Sequence, residues 1–207
     1  MSPALFFPNE DAYDGVIVPI ARQEGVPAAL VKAVIAHESR FIPTAYRGEP
    51  HLGDGSRGLM QLLFTTARDE LGFRGDPQGL FDPATNIALG IRYLAMQRAR
   101  VGGSWPEAIS AYNGGYRPAI GFGRRATRAL EICLRRDATG HCLELRQVPV
   151  GEFANQPYVD TVLKYWDHYR PIDTPPPPPP SAAPERGGCA LVLTLPAAAA
   201  GLWQLLT

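Results

Sequence analysis

Glu38 is the residue in this 207-residue chain best placed by its neighbours to do chemistry. It sits in the run Ala33-Val34-Ile35-Ala36-His37-Glu38-Ser39-Arg40-Phe41, with Val31, Val34 and Ile35 seven, four and three residues before it. At 3.6 residues per turn those positions share one stripe of an amphipathic helix. A carboxyl on an apolar stripe near a helix C-terminus meets both burial and the negative end of the helix dipole, and both favour its neutral form. A carboxyl that keeps its proton near neutral pH is a general acid. A Glu at the helix edge with its head in solvent would be an ordinary surface residue, and the helix alone does not choose between the two.

Other chemistries lack their residues. The run Gly48-Glu49-Pro50-His51-Leu52-Gly53-Asp54-Gly55-Ser56-Arg57-Gly58 is glycine-rich, but it has neither the Gly-Lys-Ser/Thr ending nor the preceding strand of a phosphate loop. His37-Glu38 has Phe41 where a zinc protease has its second His. His51 and Asp54 are two ion-ligating types on one loop, which more often means a hydrated turn, so no metal and no cofactor is expected. No Gly-x-Ser-x-Gly is present. Ala111-Tyr112-Asn113-Gly114-Gly115 offers a polar lip and a flat aromatic face, which suit a sugar ring. The same five residues also describe a glycine-capped helix end with Tyr112 in the core.

Punctuation places the helices that position these residues. Val26-Pro27 opens the Glu38 helix, with Pro27 in its first turn, and Phe41-Ile42-Pro43 closes it. From Gly58, the run Leu59, Met60, Leu62, Leu63, Thr66, Ala67 and Leu71 predicts a helix of roughly three to four turns. Asp82-Pro83 starts a third helix with Ile87, Ile91 and Leu94 as its core stripe and Gly90 for close packing. Ser104-Trp105-Pro106-Glu107 is a capping box for a fourth, which stops at Asn113-Gly114-Gly115. Pro157 begins another, carrying Val159, Val162, Leu163 and Trp166 at helical spacing.

With 45% hydrophobic residues the chain can bury a core. The formal net charge is zero, so no global field recruits nucleic acid. Between Arg117 and Arg146 seven arginines face three acids, more in keeping with a solvated face than with an anion site. Cys133 and Cys142 flank the turn signal Asp137-Ala138-Thr139-Gly140. They can face each other across a hairpin and bridge in an oxidising compartment, or remain free thiols. The N-terminal residues carry no positive n-region and no sustained apolar run, so no secretory signal is read there.

Composition changes sharply after Tyr169. Pro175 to Pro180 are six consecutive prolines, an extended polyproline II stretch of roughly 19 Å. The expected organisation is a catalytic domain at 1–172, a disordered proline-rich linker at 173–188 and an apolar tail at 189–207. The tail is interrupted by Pro196, Gly201 and Gln204; it is a candidate for membrane contact, or a poorly ordered Ala/Leu-rich extension.

Motif order is more specific than any single motif. Glu38-Ser39-x-Phe41, Gly58-Leu59-Met60-Gln61, Asn86-Ile87-Ala88-Leu89-Gly90-Ile91-Arg92-Tyr93-Leu94, Ala111-Tyr112-Asn113-Gly114-Gly115 and Tyr158-Val159 follow one another in the chain. In this order the sequence resembles the soluble lytic transglycosylase family, relatives of goose-type lysozyme, over about residues 12 to 170. The wording of the loop from Glu49 to Gln61 further resembles members found in phages. The resemblance implies a mainly α, lysozyme-like fold of the α+β superfamily, acting as a monomer on peptidoglycan glycan strands. It implies Glu38 as the single catalytic acid. Ser39, Ser56, Met60, Gln61, Tyr112 and Asn113 match residues of the glycan groove, and Tyr158 matches a tyrosine near the acid. Two departures stand out: Ile42-Pro43 occupies the place of the family's Asn-Pro, and the segment from Tyr116 to Gln156 is long.

Glycoside cleavage ordinarily takes two carboxylates; the family works with one. The implied reaction has Glu38 protonate the β-1,4 oxygen between N-acetylmuramic acid and N-acetylglucosamine, with the muramyl acetamido group stabilising the cation. Glu38 then deprotonates the C6 hydroxyl, leaving a 1,6-anhydromuramyl end. A goose-type muramidase that uses water, helped by Asp54 or Glu49, is one alternative; a catalytically idle wall-binding or virion-structural protein is another. Such an enzyme acts on the cell wall, so without a signal its delivery would fall to a phage particle, to lysis or to a dedicated secretion system.

Overall fold

The structure, a computed structural model, describes residues 6–137 and 139–173. Three of the expected helices form where their punctuation puts them. Asp82 accepts a hydrogen bond from the Thr85 N–H at 2.8 Å and caps α4 (Pro83–Arg100), whose Ile87, Ile91 and Leu94 are fully buried. Gly90 lets the helix approach Met60 so closely that a Cβ there would stand 2.3 Å from the Met60 sulfur. Further along, α5 (Trp105–Gly114) ends at Gly115, and α6 (Gln156–Tyr169) buries Tyr158, Val159 and Val162, with Leu163 and Trp166 partly buried against the core. The capping box ahead of α5 is modified: Ser104 and Glu107 hydrogen-bond to each other, and Ser104 caps no backbone N–H.

Two helices surround the acid differently from expectation. The Glu38 helix, α2 (Ala28–Glu38), begins one residue after Pro27, and Ala28 through Ala36 are all buried rather than forming one apolar stripe. Helix α6 covers one side, and α1 (Asp14–Glu24), which the sequence patterns did not reveal because Pro19 interrupts it, covers another. A helix apolar nearly all round belongs in a core. Its one lysine, Lys32, is 2% exposed and is held by Asp11 at 2.7 Å and Asp14 at 2.8 Å.

The helix predicted from Gly58 to Leu71 is mostly absent. Residues 58–61 form a turn, followed by a two-residue strand, Leu62–Leu63, and a short helix, Phe64–Asp69. Gly58 (φ 76°) and Gln61 (φ 48°) are left-handed, which a continuous helix cannot accommodate. Asn86, reaching in from α4, accepts from the Met60 N–H at 2.7 Å and donates to the Arg57 and Leu80 carbonyls at 2.9 and 2.8 Å. Backbone groups otherwise available to a helix are thus satisfied by a side chain. The glycine-rich run becomes a hairpin of β1 (Tyr46–Glu49) and β2 (Asp54–Arg57), and with Leu62–Leu63 as β3 it makes an antiparallel sheet in the order β1-β2-β3. The short helix Phe64–Asp69 is α3.

A second hairpin, β4 (Leu130–Arg136) and β5 (Cys142–Val148), lies in the long segment before α6. Cys133 and Cys142 are disulfide-bonded across it, with Cα atoms 5.7 Å apart, which decides between the bridge and free thiols. It has its own small core of Phe122, Ala126, Ile132, Val148 and Ala154. The fold is mainly α, with these two small sheets. Asp173, assigned from sequence to the linker, accepts from the Ala29 N–H at 3.1 Å and so ties the end of the described chain to the start of α2. The rest of the linker and the apolar tail at 189–207 lie outside the described residues. Among the described residues no helix is long and apolar enough to cross a membrane.

Candidate active site

Glu38 closes α2, and the backbone turns sharply after it. Ser39 bonds back through both its N–H (3.0 Å) and its hydroxyl (3.2 Å) to the Ile35 carbonyl, while Arg40 (φ 53°) and Phe41 (φ 62°) are both left-handed. A bulky residue there is an outlier held by its surroundings, and Phe41 is buried. This reversal leaves the Glu38 side chain half-buried at the helix end. Ile42 is exposed.

One hydrogen bond reaches the Glu38 carboxyl from the described residues: the Tyr158 hydroxyl donates to Oε1 at 2.8 Å. Burial dominates and raises its pKa to about 7, while the Tyr158 hydrogen bond and the positive charge of Arg47 pull the other way. The helix end adds to the upward push. Tyr158 is 8% exposed; burial first, then the Glu38 charge, raise its pKa well above the ordinary value, so it stays a donor. His37 packs edge-on against the Tyr158 ring, centroids 4.6 Å apart, and burial followed by Arg47 lowers its pKa. Glu38 is thus in hydrogen-bond contact with Tyr158, whose ring packs on His37, and it feels the charge of Arg47.

The other predicted residues surround this acid in unequal ways. Tyr112 is 7% exposed, packs 5.3 Å from the Tyr93 ring and donates to the Met60 carbonyl at 2.7 Å. Burial and then the Glu38 charge raise its pKa. It therefore packs into the core, as a glycine-capped helix end allows. Met60 is fully buried, and Gln61 turns its amide onto the Ala45 and Gly58 carbonyls at 3.0 and 2.9 Å. Ser39 and Ser56 are buried as well. Asn113 is exposed, held by the Asn155 amide at 2.9 Å; Asn155 is locked in turn to Ser110 at 2.7 and 3.0 Å. The geometry joins Glu38 to Tyr158 and Tyr112 to Met60, and uses most of the remainder to hold the backbone.

Arg47, His37, Asn86 and Asn155 were not picked out from sequence as site residues. Arg47 lies opposite Ser56 in the β1–β2 register, so their side chains share a face. Its Nε donates to Glu49 at 2.7 Å. No sequence signal marked it, since the strand itself was unread. Asp54 is a structural acid: the Gly55 N–H (2.7 Å), Arg57 (3.0 Å), and the Thr65 N–H and hydroxyl (2.8 and 2.9 Å) all donate to it. Burial raises its pKa, but these donors outweigh it and hold the carboxyl at about 2. His51 faces Glu49 at 3.8 Å rather than Asp54. A surface cavity of about 480 Å³ is lined by Pro27, Trp166, Arg170 and Asp173, at the opposite end of α2 from Glu38.

A mainly helical domain with one enclosed acid at a helix end, its pKa raised to about 7, is the class of protein these features define. The chain belongs to the transglycosylase SLT domain family, whose model matches residues 16–129. The match takes in Glu38, the β1–β2 hairpin and Tyr112-Asn113, and ends before β4. Among solved structures the chain is similar to the 70 kDa soluble lytic transglycosylase of Escherichia coli, at 22% identity and a TM-score of 0.56 over 80% of this chain and 25% of that one. It is similar also to a complex of the 70 kDa soluble lytic transglycosylase with bulgecin A, at 23% identity and a TM-score of 0.54 over 78% of this chain and 24% of that one. An inactive mutant of the lytic transglycosylase Slt from Pseudomonas aeruginosa matches at 31% identity and a TM-score of 0.46, over 53% of this chain and 17% of that one. The chain thus spans a quarter or less of the length of these proteins.

Proposed function

We propose that this chain is a peptidoglycan lytic transglycosylase that cleaves the β-1,4 bond between N-acetylmuramic acid and N-acetylglucosamine and leaves 1,6-anhydromuramyl ends. The observation that carries the reading is Glu38: one carboxyl, raised to about 7, with a single donor on Oε1 among the described residues. Tyr158 occupies Oε1, so the proton of the neutral acid belongs on Oε2, free to face the glycosidic oxygen. As that proton leaves, the Tyr158 hydrogen bond and the Arg47 charge stabilise the carboxylate. A group with a pKa near 7 serves as acid and then as base at the same pH. The same Glu38 then takes the proton from the muramyl C6 hydroxyl, whose oxygen closes onto C1. The acetamido group of that sugar carries the developing positive charge between the two steps.

Hydrolysis aided by a second carboxylate would use Asp54 or Glu49 as the base for water. Asp54 is a poor one, since four donors hold its carboxylate and its pKa is about 2. Glu49 is engaged by Arg47. The deciding experiment is mass spectrometry of digested peptidoglycan: every new muramyl end should be lighter than a reducing end by one water. Reducing ends as the main primary product would overturn the transglycosylase reading and leave a muramidase.

A further inference from the structure

Asn155 stands at the N-cap of α6, yet its side chain caps no backbone N–H. An asparagine there ordinarily accepts from the second or third N–H of the helix. The second position is Pro157, which has none, and the Tyr158 N–H goes to the Asn155 carbonyl at 2.9 Å. The amide is used elsewhere: Oδ1 accepts from the Ser110 hydroxyl at 2.7 Å, and Nδ2 donates to the Ser110 carbonyl at 3.0 Å and to Asn113 Oδ1 at 2.9 Å. Ser110 and Asn155 are buried, whereas Asn113 is exposed. The direction of each bond is forced by two groups with no choice. The Gly123 N–H can only donate, and it meets Ser110 Oγ at 3.0 Å, which leaves the hydroxyl proton for Asn155 Oδ1. The Ser110 carbonyl can only accept, so it faces Asn155 Nδ2. That nitrogen also faces Asn113, which must turn its oxygen inward and its NH2 outward.

We propose that Asn155 is a positioning residue that holds the Asn113 amide as a fixed hydrogen-bond donor toward the glycan, and that the group this donor reads is a sugar acetamido carbonyl. This rests on the glycan-cleaving reading above and adds the polarity of one groove contact. Sugar hydroxyls donate or accept and so satisfy either face of an amide, whereas a carbonyl only accepts. An amide locked with its NH2 outward therefore selects the N-acetyl group, and a freely turning one does not. The same asparagine ties that donor to the acid through a continuous run of contacts. Its side chain holds Asn113, its carbonyl holds the Tyr158 N–H, and the Tyr158 hydroxyl donates to Glu38 at 2.8 Å. Asn155 lies beyond the residues 16–129 that the family model matches, and its partner Ser110 lies within them.

The test measures calorimetric affinity of the full chain, in a Glu38→Gln background, for short denuded glycan strands and for the same strands de-N-acetylated, normalised to the folded fraction from melting curves. Asn155→Asp puts an acceptor where Nδ2 stood, so Asn113 turns its NH2 inward and its oxygen outward. Binding of N-acetylated strands should weaken about tenfold, as loss of a hydrogen bond with a carbonyl left facing an acceptor does. Asn155→Ala adds no charge and frees the Asn113 amide to turn. It should weaken binding of N-acetylated strands severalfold and leave that of de-N-acetylated strands unchanged. Where burying a carboxylate in place of Asn155 unfolds the chain, Asn113→Asp makes the same reversal from the exposed side: it still accepts from Asn155 and presents oxygen outward. The effect must also pass through Asn113, so in an Asn113→Ala background Asn155→Ala should cost no further affinity. An equal loss on both kinds of strand, an unchanged affinity, or an Asn155→Ala effect undiminished by Asn113→Ala would each overturn the proposal. Reducing ends from the wild type would sink the transglycosylase reading and leave this comparison standing, because hydrolysis binds the same sugars. Binding blind to the acetyl group would sink the role of Asn155 and leave the anhydro product untouched.

Discussion

Glu38 and Asp54 are the same chemical group treated in opposite ways. Both are substantially enclosed, and burial raises the pKa of each. At the end of α2 one donor, Tyr158, meets the carboxyl and cannot offset burial, so Glu38 titrates at about 7. In the β1–β2 hairpin four donors meet the carboxyl and more than offset it, so Asp54 titrates at about 2. The number of donors, more than depth, sets which carboxyl is raised and which is lowered. Groups whose environments push their pKa values apart mark the division of labour in a site. Here that division would separate the proposed general acid from the hairpin that carries Ser56 and Arg47.

The largest effect should come from Glu38→Gln, which keeps the shape and the Tyr158 contact but has no proton to give. Loss of general acid catalysis typically costs about 10² to 10⁴ in rate. Turnover should fall by that range while circular dichroism and glycan affinity hold. Substantial residual cleavage by uncontaminated protein would show that the reaction does not run through this residue.

Stability against pH separates the two carboxyls by sign. Glu38 has its folded pKa raised from 4.5 to about 7, so its contribution is fully present below about 4.5 and is lost as pH rises to about 7. The shift corresponds to a loss of about 3 kcal/mol at most. Relative to Glu38→Gln, wild type should weaken by up to that amount between pH 4.5 and 7 in denaturant titrations. A variant less stable than wild type at neutral pH would make Glu38 an ionised, paired carboxylate. Asp54 runs the other way: its contribution is present above 3.8 and is lost as pH falls through about 2. Asp54→Asn should cost about 1–3 kcal/mol at neutral pH, because an amide cannot accept from all four donors. The folded fraction should still make anhydro ends. Loss of all cleavage in folded Asp54→Asn would promote Asp54 from scaffold to catalyst.

What the sequence made legible follows the same division between local and distant causes. Helices α4, α5 and α6 announce themselves through Asp82-Pro83, Ser104 with Gly115, and Pro157, because caps and breakers act within a few residues. Glu38 with Tyr158 was legible through the order of motifs. The run after Gly58 read as a helix because its apolar spacing fits one; the decisive opposing force is Asn86, 26 residues from the Met60 N–H it accepts. Burial of α2 on all sides was hidden likewise, since α6 covers it from more than a hundred residues away. Arg47 stayed invisible because its meaning depends on strand register and on a charge felt by Glu38, neither of which has a local pattern.

The smallest and sharpest contrast removes one hydroxyl from each acid. Tyr158→Phe keeps the ring that packs on His37 but deletes the one described donor to Glu38. That hydrogen bond lowers the Glu38 pKa, so its loss should raise it further. In the proposed reaction activity needs protonated Glu38, so the alkaline limb of the pH–rate profile, expected near pH 7, should move up by about one unit, the worth of a hydrogen bond to a charged group. The maximal rate should drop as well, because the departing proton leaves a less stabilised carboxylate. Thr65→Val makes the matching deletion at Asp54, yet three donors remain, including the Thr65 N–H. The Asp54 titration, followed by carboxyl NMR, should therefore move much less than the Glu38 limb. Equal shifts at the two sites would mean that donor number is not what separates them, and a Glu38 limb that moved down would mean that Tyr158 holds the neutral acid rather than the carboxylate.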